Sequence, residues 1–282
     1  MALFTGAAGP CAALRVSSAS TTTAAAVPRA SALALYDSHS HVLAGLTVPS
    51  VVASTCERDW AAVAAAVAAG PAASRAAYGI HPWHAHRAGV GWAAALEARL
   101  VADPTAVVGE TGLDKVARTP DTGRVEWDAQ AAVFAEHLRL AVELGRPLTL
   151  HCVQAPGPVY DALARLEALP PAVSMHSYTG SVQFLRQLQG LERRRGCAVF
   201  FGFSRAVNCD PRHLERLKTT LEAAPDNRIL VESDITESGR VEGDLEAVLA
   251  VVAEAKGLSV DEAARLTEAN ARRFLRIVLV PG

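Results

Sequence analysis

Short apolar runs alternate with longer amphipathic stretches along the chain from residue 34 onward. Each of eight runs is short enough, and apolar enough, to be a buried strand. Between most of them the chain is long enough for a helix. One helix is explicit, since apolar residues recur at helical spacing at Trp127, Ala131, Phe134, Leu138 and Ala141. The eight predicted strands end within residues 37–41, 53–56, 78–82, 107–110, 148–152, 173–176, 200–204 and 229–234.

Strands that alternate with helices over about 240 residues predict an α/β protein, a TIM (β/α)₈ barrel. No linker rich in Pro, Gly or Ser divides the pattern, so we predict a single domain at residues 34–282. A further helix at 260–279 is expected to pack outside the barrel. A doubly wound open sheet is the alternative, but Gly89-Val90-Gly91 has no third glycine and follows no strand, so the dinucleotide-binding pattern is missing.

Residues 1–33 differ in composition from the rest of the chain. They are rich in Ala, Ser and Thr and contain no acidic residue. This composition predicts a low-complexity, disordered N-terminal tail, and a cytoplasmic or nuclear protein. An organellar transit peptide shares the same bias, so an organelle is the alternative location.

Composition and charge limit the possible functions. Apolar residues make up 50% of the chain, enough for a full core, and 27 Lys+Arg against 29 Asp+Glu give a net charge of −2. That balance argues against nucleic-acid binding by a general positive field, although a local basic cleft stays possible. The five cysteines include no C-x-x-C pair, which disfavours a disulfide framework and a zinc knuckle. No apolar run is long enough to span a bilayer, so we expect no membrane partner.

Residues that bind divalent metals stand at or just beyond the ends of five predicted strands: His39, His41, Glu110, His151, His176 and Asp234. In a barrel these ends meet at one mouth, where active sites are built. His39 and His41 are two apart in an extended segment, so their side chains share a face and can bind one ion.

The remaining four residues extend this set to a second ion. His151 and His176 offer imidazole ligands, and Glu110 has two oxygens with which to bridge two metals. Asp234 can bind metal and also accept a proton from water. Mixed imidazole and carboxylate ligands suit Zn²⁺ or Mn²⁺, whereas Mg²⁺ prefers more oxygen. The sequence therefore predicts two divalent metal ions (Zn, Mn or Mg) and metal-assisted hydrolysis.

Other candidate residues have weaker patterns. His81 follows the third strand and either contacts substrate or caps a loop. His137 and His213 fall on predicted helices, away from the mouth. Cys152 follows His151 in a strand and therefore points to the opposite face, where it packs against helices. The basic run at 193–195 ends a helix on the barrel face opposite the mouth.

Seven blocks, in order from about residue 36 to 275, resemble the TatD-like metal-dependent hydrolases of the amidohydrolase superfamily. The chain is similar to that family at 37–41 (DSHSH), 79–83 (GIHPW), 109–114 (GETGLD), the stretch from Gln130 to His151, 176–180 (HSYTG), 232–234 (ESD) and 270–274 (NARRF). The resemblance implies that His39 and His41 bind one metal, that Glu110 bridges, and that His151 and His176 complete the second site. It implies Asp234 as ligand and general base, and DNA or another phosphodiester as substrate.

Two segments depart from the bacterial nuclease pattern and resemble a fungal branch of the family. No Arg follows His151 within three residues, and the loop at 235–240 lacks the R-x-N-E-P run. A small-molecule amide, lactone or phosphoester substrate is therefore an alternative. In a different class, an inactive barrel would serve as a module that binds a protein partner. No pattern in the sequence predicts an oligomeric state.

Overall fold

The structure, a computed structural model, describes residues 33–119 and 121–276. Residues 1–32 of the predicted tail (1–33) and the C-terminal residues 277–282 lie outside this part of the chain. Within it, each of the eight predicted runs contains or adjoins a strand. The strands are β1 (Asp37–Ser40), β2 (Ser50–Ala53), β3 (Arg75–Tyr78), β4 (Val107–Asp114), β5 (Leu148–Val153), β6 (Ala172–Met175), β7 (Ala198–Ser204) and β8 (Ile229–Glu232).

These strands form one sheet in the order β1 to β8, each parallel to the next. The two edges of the sheet meet. The backbone N–H of Asp234 donates to the carbonyl of His39 at 3.0 Å, and that of His41 donates to the carbonyl of Ile235 at 3.0 Å. The carboxylate of Asp37 accepts from the backbone N–H of Ser233 at 2.9 Å. The predicted (β/α)₈ barrel is confirmed.

Helices occupy most of the connections between strands. In the described residues they are α1 (Trp60–Ala69), α2 (Trp92–Ala102), α3 (Trp127–Glu143), α4 (Pro156–Arg165), α5 (Val182–Arg195), α6 (Arg205–Asn208), α7 (Leu214–Ala223), α8 (Val241–Lys256) and α9 (Val260–Phe274). The predicted helix from Trp127 is α3, which buries Phe134, Leu138 and Ala141 but leaves Ala131 exposed. Among the residues described here, no helix is both long enough and apolar enough to cross a membrane.

Alternate strand residues divide the core into two layers. Outward residues such as Val52, Val108 and Phe201 belong to one buried cluster with apolar residues of the helices. Inward residues such as Val107 and Leu230 form a second, smaller cluster inside the barrel. Polar residues replace this apolar lining towards the carboxyl ends of the strands.

Helix α9 closes the amino-terminal end of the barrel. Its Phe274 is buried in the inner cluster and meets Phe200 of β7 edge to face, with ring centroids 5.6 Å apart. The amide of Asn270 donates to the carbonyl of Ile229 at the start of β8, at 2.8 Å. The prediction that this helix packs outside the barrel is wrong, because the apolar interior is open at that end and the apolar face of α9 covers it.

Strand β4 is longer than predicted and continues four residues past Glu110. Its second half pairs with β5, with Gly112 opposite His151 and Asp114 opposite Val153. The pairing shifts register between Val108 and Thr111. The prediction that Glu110 ends its strand is therefore wrong: polar residues continue the strand because they line the mouth of the barrel.

Candidate metal centre

Glu110 stands at the centre of the barrel mouth with only 1% of its surface exposed. Its Oε1 lies 2.8 Å from Nε2 of His176 and 3.0 Å from Nδ1 of His151. Its Oε2 lies 3.3 Å from Nε2 of His39 and 3.4 Å from Nε2 of His41. The two carboxylate oxygens thus face different histidines, and the structure brings together five of the six residues singled out at strand ends.

Asp234, the sixth, borders the same centre. Its Oδ1 is 3.7 Å from Nε2 of His41. Its Oδ2 accepts from the hydroxyl of Ser177 at 2.9 Å, and that hydroxyl is 2.7 Å from the hydroxyl of Ser204. One carboxylate oxygen is therefore fixed by serine, while the other faces the histidines.

His81 also reaches the centre. Its Nε2 lies 3.4 Å from Oε1 of Glu110 and 3.3 Å from Nδ1 of His151. Its other nitrogen, Nδ1, accepts from the backbone N–H of Trp83 at 3.1 Å, at the start of a short 3₁₀ helix. The two interpretations of His81, a loop cap and a residue of the site, therefore describe opposite sides of one ring.

The donor atoms suit divalent cations. Three sets each bring their ligand atoms within 4.8 Å of one another: His39, His41 and Glu110; His39, His176 and Asp234; His81, Glu110 and His151. Oε2 of Glu110 is buried and accepts no hydrogen bond from the described residues. A buried carboxylate oxygen without a partner is costly, and a cation held by this oxygen and the nearby imidazoles would remove that cost.

Glu110 and the histidines around it strongly affect one another's pKa values. Burial alone would raise the pKa of Glu110, but its electrostatic interactions with the neighbouring His176, His81 and His39 together outweigh burial and hold that pKa well below its usual range. Burial would lower the pKa of His176, yet the charge of Glu110 and its hydrogen bond raise it well above the usual value. For His81, burial dominates and lowers the pKa well below normal. Without metal, Glu110 is an anion and His176 is its main counterion.

The far ring nitrogens of the four central histidines face fixed oxygens. Those of His39 and His41 lie near uncharged groups, at 3.3 Å from Oγ1 of Thr149 and 3.0 Å from the carbonyl of Ala53. That of His151 lies 3.1 Å from Oδ2 of Asp114. That of His176 lies 3.5 Å from Oε1 of Glu232. Such contacts orient the rings towards the centre.

The contacts of Asp114, Thr149 and Glu232 with the histidines were not predicted from the sequence. Their positions carried a usable pattern, because Thr149 and Glu232 lie two residues before His151 and Asp234 and so share their inward face. Asp114 lies in the half of β4 beyond the predicted strand end at Glu110.

The remaining candidates lie outside the cluster. His137 is fully buried in α3, as predicted for a structural residue, and its Nε2 accepts from the backbone N–H of Ile80 at 3.2 Å. His213 precedes α7 and borders a cavity on the mouth side, so its predicted place away from the mouth is wrong. The cause is that helices following strands begin at this end of the barrel.

Cys152 is half-buried against the outer core, and burial raises its pKa to about 11. Arg195 ends α5 and donates to the carbonyl of Ala164 in the last turn of α4 and to that of Glu167 just after it.

A cavity of about 530 Å³ opens next to His176. It lies where β5, β6 and β7 end, against α5 and α7. Apolar side chains make up most of its wall, among them Met175, Phe184, Phe203 and Leu217, and Arg216 stands at its edge. The space could hold a small organic group beside the cluster.

A parallel barrel whose strand ends bring histidines and carboxylates to one mouth defines a class of protein, the barrel-type metal-dependent hydrolases. Within this class, the chain belongs to the TatD-related DNase family, whose model matches residues 37–276.

Several known proteins are similar to the chain. Cut9-interacting protein scn1 of Schizosaccharomyces pombe is 24% identical over 217 residues, 62% of this chain and 63% of that protein. The 3'-5' ssDNA/RNA exonuclease TatD of Edwardsiella piscicida is 35% identical over 158 residues, 55% of each chain. The chain thus spans less than two thirds of the length of these curated relatives. The crystal structure of the TatD homologue YJJV of Escherichia coli K12 superposes with a TM-score of 0.71 at 21% identity, over 87% of this chain and 99% of that one.

Proposed function

We propose that the chain is a two-metal hydrolase of phosphodiester bonds, acting as a TatD-type deoxyribonuclease on the ends of single-stranded nucleic acid. The observation that carries this proposal is the position of Glu110: its Oε2 faces His39 and His41, and its Oε1 faces His151, His176 and His81. A carboxylate so placed is suited to hold two ions at a short, fixed separation.

Each side chain has a distinct role in this proposal. His39 and His41 would hold one ion, His151 and His176 would hold the other, and Glu110 would offer one carboxylate oxygen to each. Divalent ions bound there supply Lewis-acid polarisation and lower the pKa of water. Oδ1 of Asp234 would accept a proton from the attacking water. Ser177 donates to the other oxygen, Oδ2, and so sets the orientation of the carboxylate.

His81 would complete the centre on the substrate side. Its Nδ1 accepts from Trp83, so its Nε2 carries the ring proton and, lying beside both Glu110 and His151, can donate a hydrogen bond to a substrate oxygen. The curated bacterial relatives support the phosphodiester substrate by their names, as 3'-5' ssDNA/RNA exonucleases.

A second candidate activity is the hydrolysis of a small ester, lactone or amide that carries an apolar group. The cavity beside His176 favours it, because a mostly apolar wall next to the cluster suits an acyl or aryl group better than a phosphate backbone. Arg216 at its edge would meet a carboxylate or phosphate on such a molecule.

Metal content and turnover test both candidates. We expect purified protein to retain about two divalent ions per chain, and the variant with His39→Ala and His41→Ala to retain about one. Glu110→Gln should lose turnover by at least about 100-fold, whereas Glu246→Gln, an exposed change on α8, should not alter it. The substrates are 3'-labelled single-stranded DNA and p-nitrophenyl esters.

The outcomes separate the alternatives. Cleavage of DNA without ester turnover supports the nuclease, and the reverse supports the second candidate. A wild-type protein that binds no Zn, Mn or Mg and cleaves neither substrate refutes both activities and favours an inactive barrel that binds a protein partner.

A further inference from the structure

Trp83 is an exposed aromatic side chain fixed beside the metal centre. It leaves 53% of its surface exposed. Even so, two hydrogen bonds hold it: its indole N–H donates to Oδ2 of Asp114 at 3.2 Å, and its backbone N–H donates to Nδ1 of His81 at 3.1 Å. Its ring also meets that of His81 edge to face, with centroids 5.2 Å apart. The indole is therefore fixed in orientation although it packs little against the core.

The other tryptophans of the chain serve a different purpose. Trp60 is buried, and Trp92 and Trp127 are partly buried against the main core. An indole fixed in place with half its surface in water contributes little to the stability of the fold. Exposed apolar surface next to a site commonly marks contact with a ligand. Val116 adds to the apolar surface here: it is 51% exposed, and its backbone N–H donates to the other oxygen of Asp114 at 2.8 Å.

We propose that Trp83 is a stacking platform for a nucleobase of the single-stranded substrate, a proposal that rests on the nuclease function proposed above. Single strands present the flat faces of their bases, and stacking on an aromatic side chain contributes about 1–3 kcal/mol per base. The His81 ring contacts both Trp83 and the centre: its centroid is 5.2 Å from that of Trp83, and its Nε2 is 3.4 Å from Oε1 of Glu110. A base stacked on Trp83 would therefore lie next to the residues that act on the adjoining phosphodiester.

The charge of the chain makes such a platform important. A net charge of −2 provides no general attraction for a polyanion. Gln154 and its neighbours after His151 offer no arginine, and in the described residues the ion pairs of Glu110 are all with histidines. Stacking, which is independent of charge, then supplies affinity for the end of the strand.

Two variants at one position separate the aromatic face from the indole N–H. Trp83→Phe keeps a ring for stacking but removes the hydrogen bond to Asp114, whereas Trp83→Leu removes both. Val101→Ala, an exposed apolar change at the far end of α2, is the control. The probe is a fluorescein-labelled thymidine pentanucleotide with a hydrolysis-resistant 3'-terminal phosphorothioate linkage, compared with the same oligomer lacking the 3'-terminal base. Binding to metal-loaded protein is measured by fluorescence anisotropy.

We expect Trp83→Leu to raise the Kd of the complete oligomer by about 5- to 150-fold, the equivalent of one stacked base, and to change the Kd of the abasic oligomer less than about twofold. Trp83→Phe should retain most of the affinity. The platform is overturned if Trp83→Leu raises the Kd of both oligomers equally or leaves it unchanged. It is also overturned if Trp83→Phe raises the Kd of the complete oligomer as much as Trp83→Leu does. If wild-type protein cleaves DNA while Trp83→Leu binds normally, only the platform is refuted. If wild-type protein neither binds nor cleaves DNA, both the nuclease proposal and the platform are refuted.

Discussion

Asp114 lies directly behind His151, with its Oδ2 3.1 Å from Nε2 on the side of the ring away from Glu110. A carboxylate accepts, so Nε2 carries a proton and donates to Asp114; an ion at the centre would then be bound through Nδ1, which faces Oε1 of Glu110 at 3.0 Å. The backbone N–H groups of Val116 and Ala117 hold the other carboxylate oxygen at 2.8 and 2.9 Å. Asp114 thus fixes both the tautomer and the orientation of His151.

Asp114→Asn should weaken metal binding at the site formed by His151 and His176. Loss of the charge behind His151 lowers the basicity of its Nδ1, and such changes cost about 10- to 100-fold in affinity. Competition of Zn²⁺ between the protein and a chromogenic chelator measures the effect. Asp103→Asn is the matched control, because Asp103 is a partly exposed loop residue that accepts from Thr105 far from the mouth. Equal affinities in the two variants would show that Asp114 does not position His151.

His137 should make the stability of the protein depend on pH between about 6.5 and 4. Burial lowers its pKa to about 4, while in the unfolded chain it stays near 6.5. As the pH falls through this window the unfolded chain takes up a proton that the folded chain refuses, so the free energy of unfolding decreases, by about 3 kcal/mol in all. Above pH 6.5 this contribution is fully present.

Urea unfolding at pH 7, 6, 5 and 4 measures that slope. His137→Gln should flatten it relative to wild type, since glutamine does not titrate and can still accept from Ile80. His213→Gln, a change at an exposed histidine, should keep the wild-type slope. If the free energy of unfolding fell equally with pH in wild type and His137→Gln, His137 would not be the source of the pH dependence.

Phe274→Ala should destabilise the barrel without altering the metal centre. The change leaves a cavity beneath Phe200, at the end of the barrel opposite the mouth, and buried Phe→Ala changes cost about 3–5 kcal/mol. Val260→Ala, an exposed change at the start of the same helix, should cost less than about 0.5 kcal/mol. Chemical unfolding gives both values. A Phe274→Ala protein as stable as the control would show that α9 does not complete the core.

Gly112→Ala should separate β4 from β5 and displace His151. Gly112 has a φ of +149°, and a Cβ there would lie 1.9 Å from the carbonyl oxygen of His151. We expect a loss of at least about 3 kcal/mol in stability, with loss of bound metal. Gly123→Ala is the control: its φ is +65° but a Cβ would meet nothing within 4 Å, so only about 1–2 kcal/mol is expected. Similar losses in the two variants would argue against the close contact.

The pattern of apolar residues predicted the strands because a buried parallel strand leaves a short, continuous apolar run in the sequence. It misplaced the end of β4, since Thr111 and Asp114 are polar yet remain paired with β5. It also misplaced α9. An amphipathic helix has the same pattern whether it covers the side of a barrel or its end, and only the tertiary contact between Phe274 and Phe200 distinguishes the two.

The cluster at the mouth could be foreseen for a related reason. A metal-binding residue at the end of a strand is conspicuous after an apolar run, as with His151 and His176. The residues that orient the histidines are not conspicuous. Thr149 lies inside β5, and Glu232 precedes the more obvious Asp234. Their roles depend on distances across the barrel, which local patterns do not contain.

Closure of the barrel by α9 makes the fold sensitive to premature stop codons late in the message. Every residue of the candidate metal centre precedes residue 235, whereas the side chain that seals the core is Phe274. A message that ends after α8 would encode all the proposed ligands on a barrel whose apolar interior is open to water. Quality-control proteases recognise such exposed apolar surface, so a late nonsense mutation would abolish the protein as thoroughly as an early one.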